Sequence, residues 1–253
     1  MRALQIAVCV LVLIATAGEG RAALIVGGGG LLTQSDANQI ETWLDEGGLQ
    51  FTNLYTKQDG DTFADFHAAV DGNGRTISVI EILAGTGLED VGAGSVEVSL
   101  NHQIIGGYNP QSWGSLTNYN FSPPELRDAF IFNLTTGEKQ DQLSTSEGQY
   151  QTYNHGNNGP TFGGGADIII GAGDNYARNY SYGSSFVDSI VDSPNDGYYV
   201  NFIGLIGQIE VYTLESAAVA VPEPSSLALL AIGAGVLAVG ARRRRRHAKS
   251  TAV

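Results

Sequence analysis

TFADFHAAVDGNGRTISVIEIL, residues 62–83, carries a helix start, a helix stop and a strand in one stretch. Thr62-x-x-Asp65 has the form of a capping box, in which a hydroxyl and a carboxylate satisfy the opening N–H groups of a helix. Phe63, Phe66 and Val70 follow at helical spacing, so a short amphipathic helix over Thr62 to Val70 turns these three inward. It stops at Asp71-Gly72. The run Asp71-Gly72-Asn73-Gly74 is similar to a calcium loop, but Arg75 stands at the third ligand position and no acid follows at the twelfth, so it reads as a turn. Thr76 to Leu83, rich in β-branched residues, is a strand.

Outward from this unit, the same devices recur. Thr33 to Glu46 opens on Thr-x-x-Asp, places Ile40, Trp43 and Leu44 on one face and ends at Gly47-Gly48, which predicts a second short helix. Asp59 and Asp61 flank a glycine and suit a turn followed by a cap. Short apolar or aromatic runs separated by glycine give further strands at Val96 to Leu100, Gln103 to Tyr108, Ala129 to Leu134, Gln149 to Tyr153, Asp167 to Ile170 and Gln208 to Leu214. Several alternate apolar with polar residues, as half-buried antiparallel strands do. Gly85 to Gly94 reads as a surface loop, Gly27 to Gly30 as a flexible lead and Ser216 to Val221 as a stalk. The expected fold is mainly β (α+β): a two-sheet antiparallel β-sandwich of about eight strands, flanked by two short helices.

Both ends carry signals of another kind. Arg2 precedes the apolar stretch Leu4 to Ala15, and Ala15-Thr16-Ala17 or Gly20-Arg21-Ala22 offers small residues for cleavage after Ala17 or after Ala22/Ala23, the pattern of a secretory signal peptide. At the other end Pro222-Glu223-Pro224 is followed by an apolar run, Leu227 to Val239, and by arginines from Arg242 to Arg246. Arginines resist crossing hydrocarbon and are drawn to an anionic inner face, so this segment is expected to enter the membrane as a transmembrane helix with its tail cytoplasmic. The run is shorter than the ~20 residues of a permanent span. The single cysteine, Cys9, lies in the leader, so the mature chain is expected to have no disulfide, thiolate nucleophile or cysteine metal site. Of 13 basic residues eight lie in the terminal signals, against two of 26 acids. The body keeps five bases and 24 acids, near −19. Such a surface repels nucleic acid and anionic membranes.

Two family resemblances rest on these residues. Triplet, apolar run and arginine block together resemble the PEP-CTERM sorting signal of Gram-negative bacteria, with Pro222, Glu223, Pro224, Arg242, Arg243 and Arg244 as sorting and processing residues. That resemblance implies export, transient anchoring in the inner membrane and cutting near the triplet by an exosortase, after signal peptidase has acted. The body resembles the TLDc domain. LLTQSDANQIETWL is similar to its opening helix, LYTKQDGDTFADFHAAVDGNGRTISVIE to its next block, IIGGYNPQSW to its Gly-Gly-Tyr turn before a tryptophan, and DAFIFNL to a core strand. GPTFGGGADIII resembles its glycine-rich turn and strand, and IGQIEVYTL its closing strand. The implied motif residues, read as structural, are Phe66, His67, Gly106, Gly107, Tyr108, Trp113, Gly159, Pro160, Phe162, Gly163, Gly164, Gly165, Asp167 and Glu210. Where the family often carries histidine after the glycine triplet, this chain has Ala166. The resulting division is a signal peptide (1–23), a TLDc-like domain (24–214), a linker (215–221), a sorting and transmembrane segment (222–247) and a tail (248–253).

Physical readings of the motif glycines agree with that assignment. Gly106-Gly107 would let the chain bend and bring two strands close, with Trp113 packed over the bend, and Gly163 to Gly165 suit a bulge or close backbone approach. A phosphate-cradling loop is disfavoured, because GGGADIII leads into a strand and no GxxxxGK[ST] occurs. His67, His102 and His155 lie in different elements without metal-ligand spacing, and no GxSxG is present. No catalytic constellation, metal or cofactor is expected. The family's cytosolic roles, in oxidative stress and on a vacuolar proton pump, do not fit an exported chain. The expectation is a non-catalytic TLDc-like binding or structural module at the cell surface or in the extracellular matrix, with exopolysaccharide or another surface component as a possible partner. The alternatives are an extracellular hydrolase, or a carbohydrate-binding adhesin using Tyr176, Tyr180, Tyr182, Tyr198 or Tyr199.

Overall fold

The computed structural model describes residues 22–90, 95–164, 167–171, 176–180 and 200–216. The leader up to Arg21, the PEP triplet, the arginine block, Gly165, Ala166, Tyr182, Tyr198 and Tyr199 lie outside the described residues, as does the expected transmembrane helix, whereas Ala23, the last residue of the expected leader, is buried against the α1 side of the domain. Among the described residues no helix is long and apolar enough to cross a membrane.

Two α-helices, two short 3-10 helices (Pro124–Leu126 and Ser146–Gln149) and twelve strands are present among the described residues. In order they are β1 (Leu24–Val26), α1 (Gln34–Leu44), β2 (Leu49–Thr56), α2 (Phe63–Val70), β3 (Thr76–Asp90), β4 (Ser95–Asn109), β5 (Asn118–Phe121) and β6 (Phe130–Asn133). There follow β7 (Glu138–Asp141), β8 (Tyr150–Asn154), β9 (Thr161–Phe162), β10 (Ile168–Ile170), β11 (Tyr176–Tyr180) and β12 (Val200–Ser216). Seven strands pair in the order β1-β2-β12-β3-β4-β6-β7, and four in the order β5-β8-β9-β10. The two sheets are not separate, because β11 pairs with both β10 and β12. Nor is every pairing antiparallel: β1 runs parallel to β2.

Both helices begin as their capping boxes dictate. Thr33 N–H and hydroxyl donate to the Asp36 carboxylate at 3.0 and 2.6 Å, and Thr62 N–H and hydroxyl donate to Asp65 at 2.8 Å each. Helix α1 ends on Asp45, which adopts a left-handed φ of 53°, two residues before the expected glycine pair.

Strand alternation divides the interior into two cores. Ile77 and Val79 of β3, Phe130 and Phe132 of β6, and Tyr212 and Leu214 of β12 face α1, where they meet Ala37 and Ile40. The intervening residues, Ile80 and Ile82, Ile131, and Ile209 and Val211, face Phe66 and Val70 of α2 and Phe162, Ile168 and Ile170 of the four-stranded sheet. The seven-stranded sheet is therefore a middle layer, apolar on both faces. Each fully buried Phe, Ile or Leu contributes about 1.5–3 kcal/mol relative to exposure.

Five expectations need correction. Gly85 to Gly94 is not a surface loop throughout: residues 85–90 continue β3 and pair with β4 from Leu100 to Ser95. The two strands expected at 96–100 and 103–108 are one, β4, with His102 at φ 52° within it. Gly106-Gly107 is not a bend but a straight part of β4, paired with β3 and β6. Gly27 to Gly30 is a packed segment rather than a loose lead, with Gly28 lying against Tyr212. The count of about eight strands also falls short, through β1, β2, β5, β7, β9 and β11, of which β2 is the longest and buries Leu49, Phe51 and Tyr55.

Candidate functional site

Most of the motif residues converge on one aromatic hub between the sheets. Phe66 meets Trp113 edge-on at 6.1 Å, and Trp113 meets Phe162 edge-on at 5.4 Å. The Trp113 indole N–H donates to the Thr76 hydroxyl at 2.8 Å, so its one polar atom is paired while 3 % of the residue is exposed. A Cβ on Gly107 would lie 2.6 Å from the Phe162 ring, and one on Gly106 would lie 2.0 Å from the Ser78 carbonyl oxygen. Here glycine is needed for its missing side chain rather than for a turn.

The Gly159–Asp167 segment follows the same logic. Gly159 lies against Phe63 and Ile170, and its N–H donates to Ile170 O at 2.8 Å, while Ile170 N–H returns a bond to Pro160 O at 3.3 Å. Gly163, at φ 84°, leaves room for the Asp167 carboxylate, and Gly164 for the Tyr150 ring. His67, on α2, is the bolt of this region. Its Nε2 reaches the carbonyls of His155 (3.0 Å) and Asn158 (3.1 Å), and its Nδ1 lies 2.8 Å from Asp71. All three partners are oxygen atoms, two backbone carbonyls and one carboxylate.

Glu210 is placed elsewhere, on the α1 side of the middle sheet. It is wholly buried, and its carboxylate accepts the Gly29 N–H, the Leu32 N–H (3.3 Å) and the Tyr212 hydroxyl (2.5 Å). Burial, and then this bond to Glu210, pushes the Tyr212 hydroxyl well above the ordinary tyrosine range. Burial does the same to Tyr55, seconded by Asp61. The site joins the start of the domain to its last strand.

Tyr108 leads to a feature that the sequence did not suggest. It borders a cleft of about 440 Å³ with Trp43, Leu44, Glu46, Arg75, Arg127, Asp128, Phe130, Lys139 and Asp141. Three of the five bases in the acidic body therefore share one cleft. Arg75 forms a two-pronged pair with Glu46 at 2.6 and 2.9 Å, which holds its proton more firmly than usual. Burial pushes the neighbouring Tyr108 hydroxyl up. Lys139 pairs with Asp141 at 2.6 Å and lies 5.3 Å from the centre of the Phe130 ring. Arg127 has no carboxylate partner among the described residues. It donates instead to the carbonyls of Ser122 (3.4 Å), Leu143 (3.0 Å) and Thr145. Arg75, Arg127 and Lys139 are far apart in sequence, so no motif announces them; the only signal was the scarcity of bases in the body.

The histidine rings do not cluster, His67 reaching only the backbone carbonyl of His155. His102 is exposed on β4, and His155 stacks on Tyr153 with its ring accepting the Asn157 N–H at 3.1 Å. Among the described residues no three His, Cys, Asp or Glu side chains gather as metal ligands would. Of the five tyrosines considered for sugar binding, Tyr176 and Tyr180 sit on β11.

The TLDc domain model matches residues 25–215, and the PEP-CTERM protein-sorting motif matches residues 220–246. Comparison with curated proteins finds no match. Since the first match spans most of the chain and the second follows it directly, the chain belongs to the TLDc domain family, as an exported member that carries a PEP-CTERM sorting signal.

Proposed function

We propose that the chain is a non-catalytic TLDc module that serves at the cell surface or in the extracellular matrix as a binding or structural element. In this reading signal peptidase removes the leader, the apolar tail holds the protein briefly in the inner membrane, and exosortase cuts near Pro222-Glu223-Pro224. The observation that carries it is the order of the two matches in one chain, a domain over 25–215 and then a sorting motif over 220–246. The motif residues from Phe66 to Glu210 are proposed to hold the fold rather than to react, since those among the described residues have packing or hydrogen-bonding partners within the domain. Their role here is that of a rigid frame on which a surface site can be carried.

Cell fractionation with mass spectrometry of the native protein tests this reading. A species ending near residue 222 in the envelope or medium is the expected result. Chains intact through Val253 and confined to the inner membrane would overturn it. The module is also proposed to lack hydrolase activity; turnover of glycans or peptides by the purified chain, abolished by one substitution, would count decisively against that part.

A further inference from the structure

We propose that the cleft between Trp43, Phe130 and Arg127 binds a carboxylated sugar, with the guanidinium of Arg127 taking the carboxylate and the Trp43 indole taking the ring. The proposal deepens the reading of the chain as a surface binding module and rests on it. Arg127 is built for the purpose. A surface arginine ordinarily loses rotamer freedom when it binds, but three backbone carbonyls already hold this one through Nε and Nη1. Its Nη2 makes no hydrogen bond among the described residues, and the side chain lines the cleft. The Ser122 backbone that helps to hold it is itself fixed, because the Ser122 hydroxyl donates to Gln151 at 2.6 Å within a buried amide network that continues to Asn109.

Charge decides the class of anion. Arg75, Arg127 and Lys139 are balanced by Glu46, Asp128 and Asp141, so the cleft is near neutral in a body near −19. A doubly charged phosphate would meet three carboxylates, whereas a single carboxylate needs only the charge-assisted donor that Nη2 leaves free. The exposed carboxylate of Asp141 then suits a ligand whose other groups are hydroxyl donors. Half-buried Trp43 beside Phe130 and Phe132 supplies an apolar wall for the C–H face of a pyranose. At about 440 Å³ the cleft falls within the ~300–1,000 Å³ of small-ligand sites. A uronate unit combines these features.

Trp43 provides the assay. The chain has two tryptophans, and Trp113 is buried with its N–H engaged, so a ligand-induced change in fluorescence reports Trp43. The purified full-length chain is titrated with a galacturonate trimer, with maltotriose and with sodium acetate at fixed ionic strength. The expected result is a saturable change with the trimer, at least about tenfold weaker binding of maltotriose, and no saturation by acetate. Arg127→Lys should weaken the trimer about tenfold, since a compact ammonium cannot hold the backbone carbonyls on one side and present a donor to the cleft on the other. Asp128→Asn removes an exposed like charge without touching the core, and should tighten binding roughly two- to threefold. Equal binding of the neutral sugar, no saturation by the trimer to about 10 mM (a complex too weak for one charge-assisted bond), or an Asp128→Asn variant indistinguishable from the parent overturns the proposal. Any of these leaves export and tail cleavage standing, because those are read by fractionation.

Discussion

Replacing Glu210 by Gln should loosen the junction between the first and last segments of the domain. The carboxylate is wholly buried and accepts from Gly29 N–H, Leu32 N–H and the Tyr212 hydroxyl. Glutamine has nearly the same shape, but one of its two acceptor atoms becomes an NH2 that faces donors. Hydrogen bonds to a charged group contribute about 1.5–3 kcal/mol each, and a buried donor left unpaired costs about 1–3 kcal/mol. One bond is lost outright and the others lose their charge, so the expected cost is about 3 kcal/mol, out of a total near 5–15 kcal/mol. Tyr212→Phe removes one of three donors and should cost less, about 1–2 kcal/mol. Because both changes touch the same bond, the double variant should be less destabilised than the sum, by about 1 kcal/mol. Urea denaturation followed by tryptophan fluorescence measures this as a fall in midpoint with unchanged slope. A Glu210→Gln variant within about 0.5 kcal/mol of the parent would refute the idea that this carboxylate holds the junction, since that is the scatter of ordinary surface substitutions.

Gly106→Ala should be worse than Gly107→Ala: the first places a methyl 2.0 Å from a backbone oxygen that cannot swing away, the second 2.6 Å from the Phe162 ring. We expect about 3 kcal/mol or more for Gly106→Ala and about 2 kcal/mol for Gly107→Ala, read from denaturation midpoints; equal costs would mean that β3 and β4 separate more easily than drawn. Tyr212 and Tyr55 hold their protons more firmly folded than unfolded, so the folded state retains protons that the unfolded chain releases above pH ~10, and stability should fall there. Tyr212→Phe should flatten part of that alkaline slope, and an unchanged slope would contradict it. Asp65 behaves oppositely, its carboxyl held low by the Thr62 N–H and hydroxyl. Its contribution is present above the ordinary carboxylate range and lost as pH falls through it, so acid unfolding curves of Asp65→Asn and the parent should converge at low pH.

Local signals were legible in the sequence and distant ones were not. Thr33/Asp36 and Thr62/Asp65 lie three residues apart, so each capping box forms whatever the rest of the chain does. Strand β2, LQFTNLYT, escaped because what makes it a strand is its ladder with β12, about 160 residues later. The arm Thr86–Asp90 is poor in strand formers and exists because Ser95–Ser99 pairs with it. At Gly106-Gly107 the sequence revealed that a side chain is missing, but a bend and a close approach demand the same residue, and only the position of Ser78 and Phe132 separates them. The cleft was the least legible feature, since its bases at 75, 127 and 139 are gathered by folding alone.

Strand β12 is the last element of the domain, and it lies between β2 and β3 rather than at an edge. Residues 217 onward continue directly from Ser216, so any pull on the tail enters the fold along the axis of a strand laddered on both sides. Such a load shears many hydrogen bonds at once, where a pull on an edge strand would unzip them singly. In the proposed anchored state, the protein would be attached to its tether by a strand arranged to bear tension.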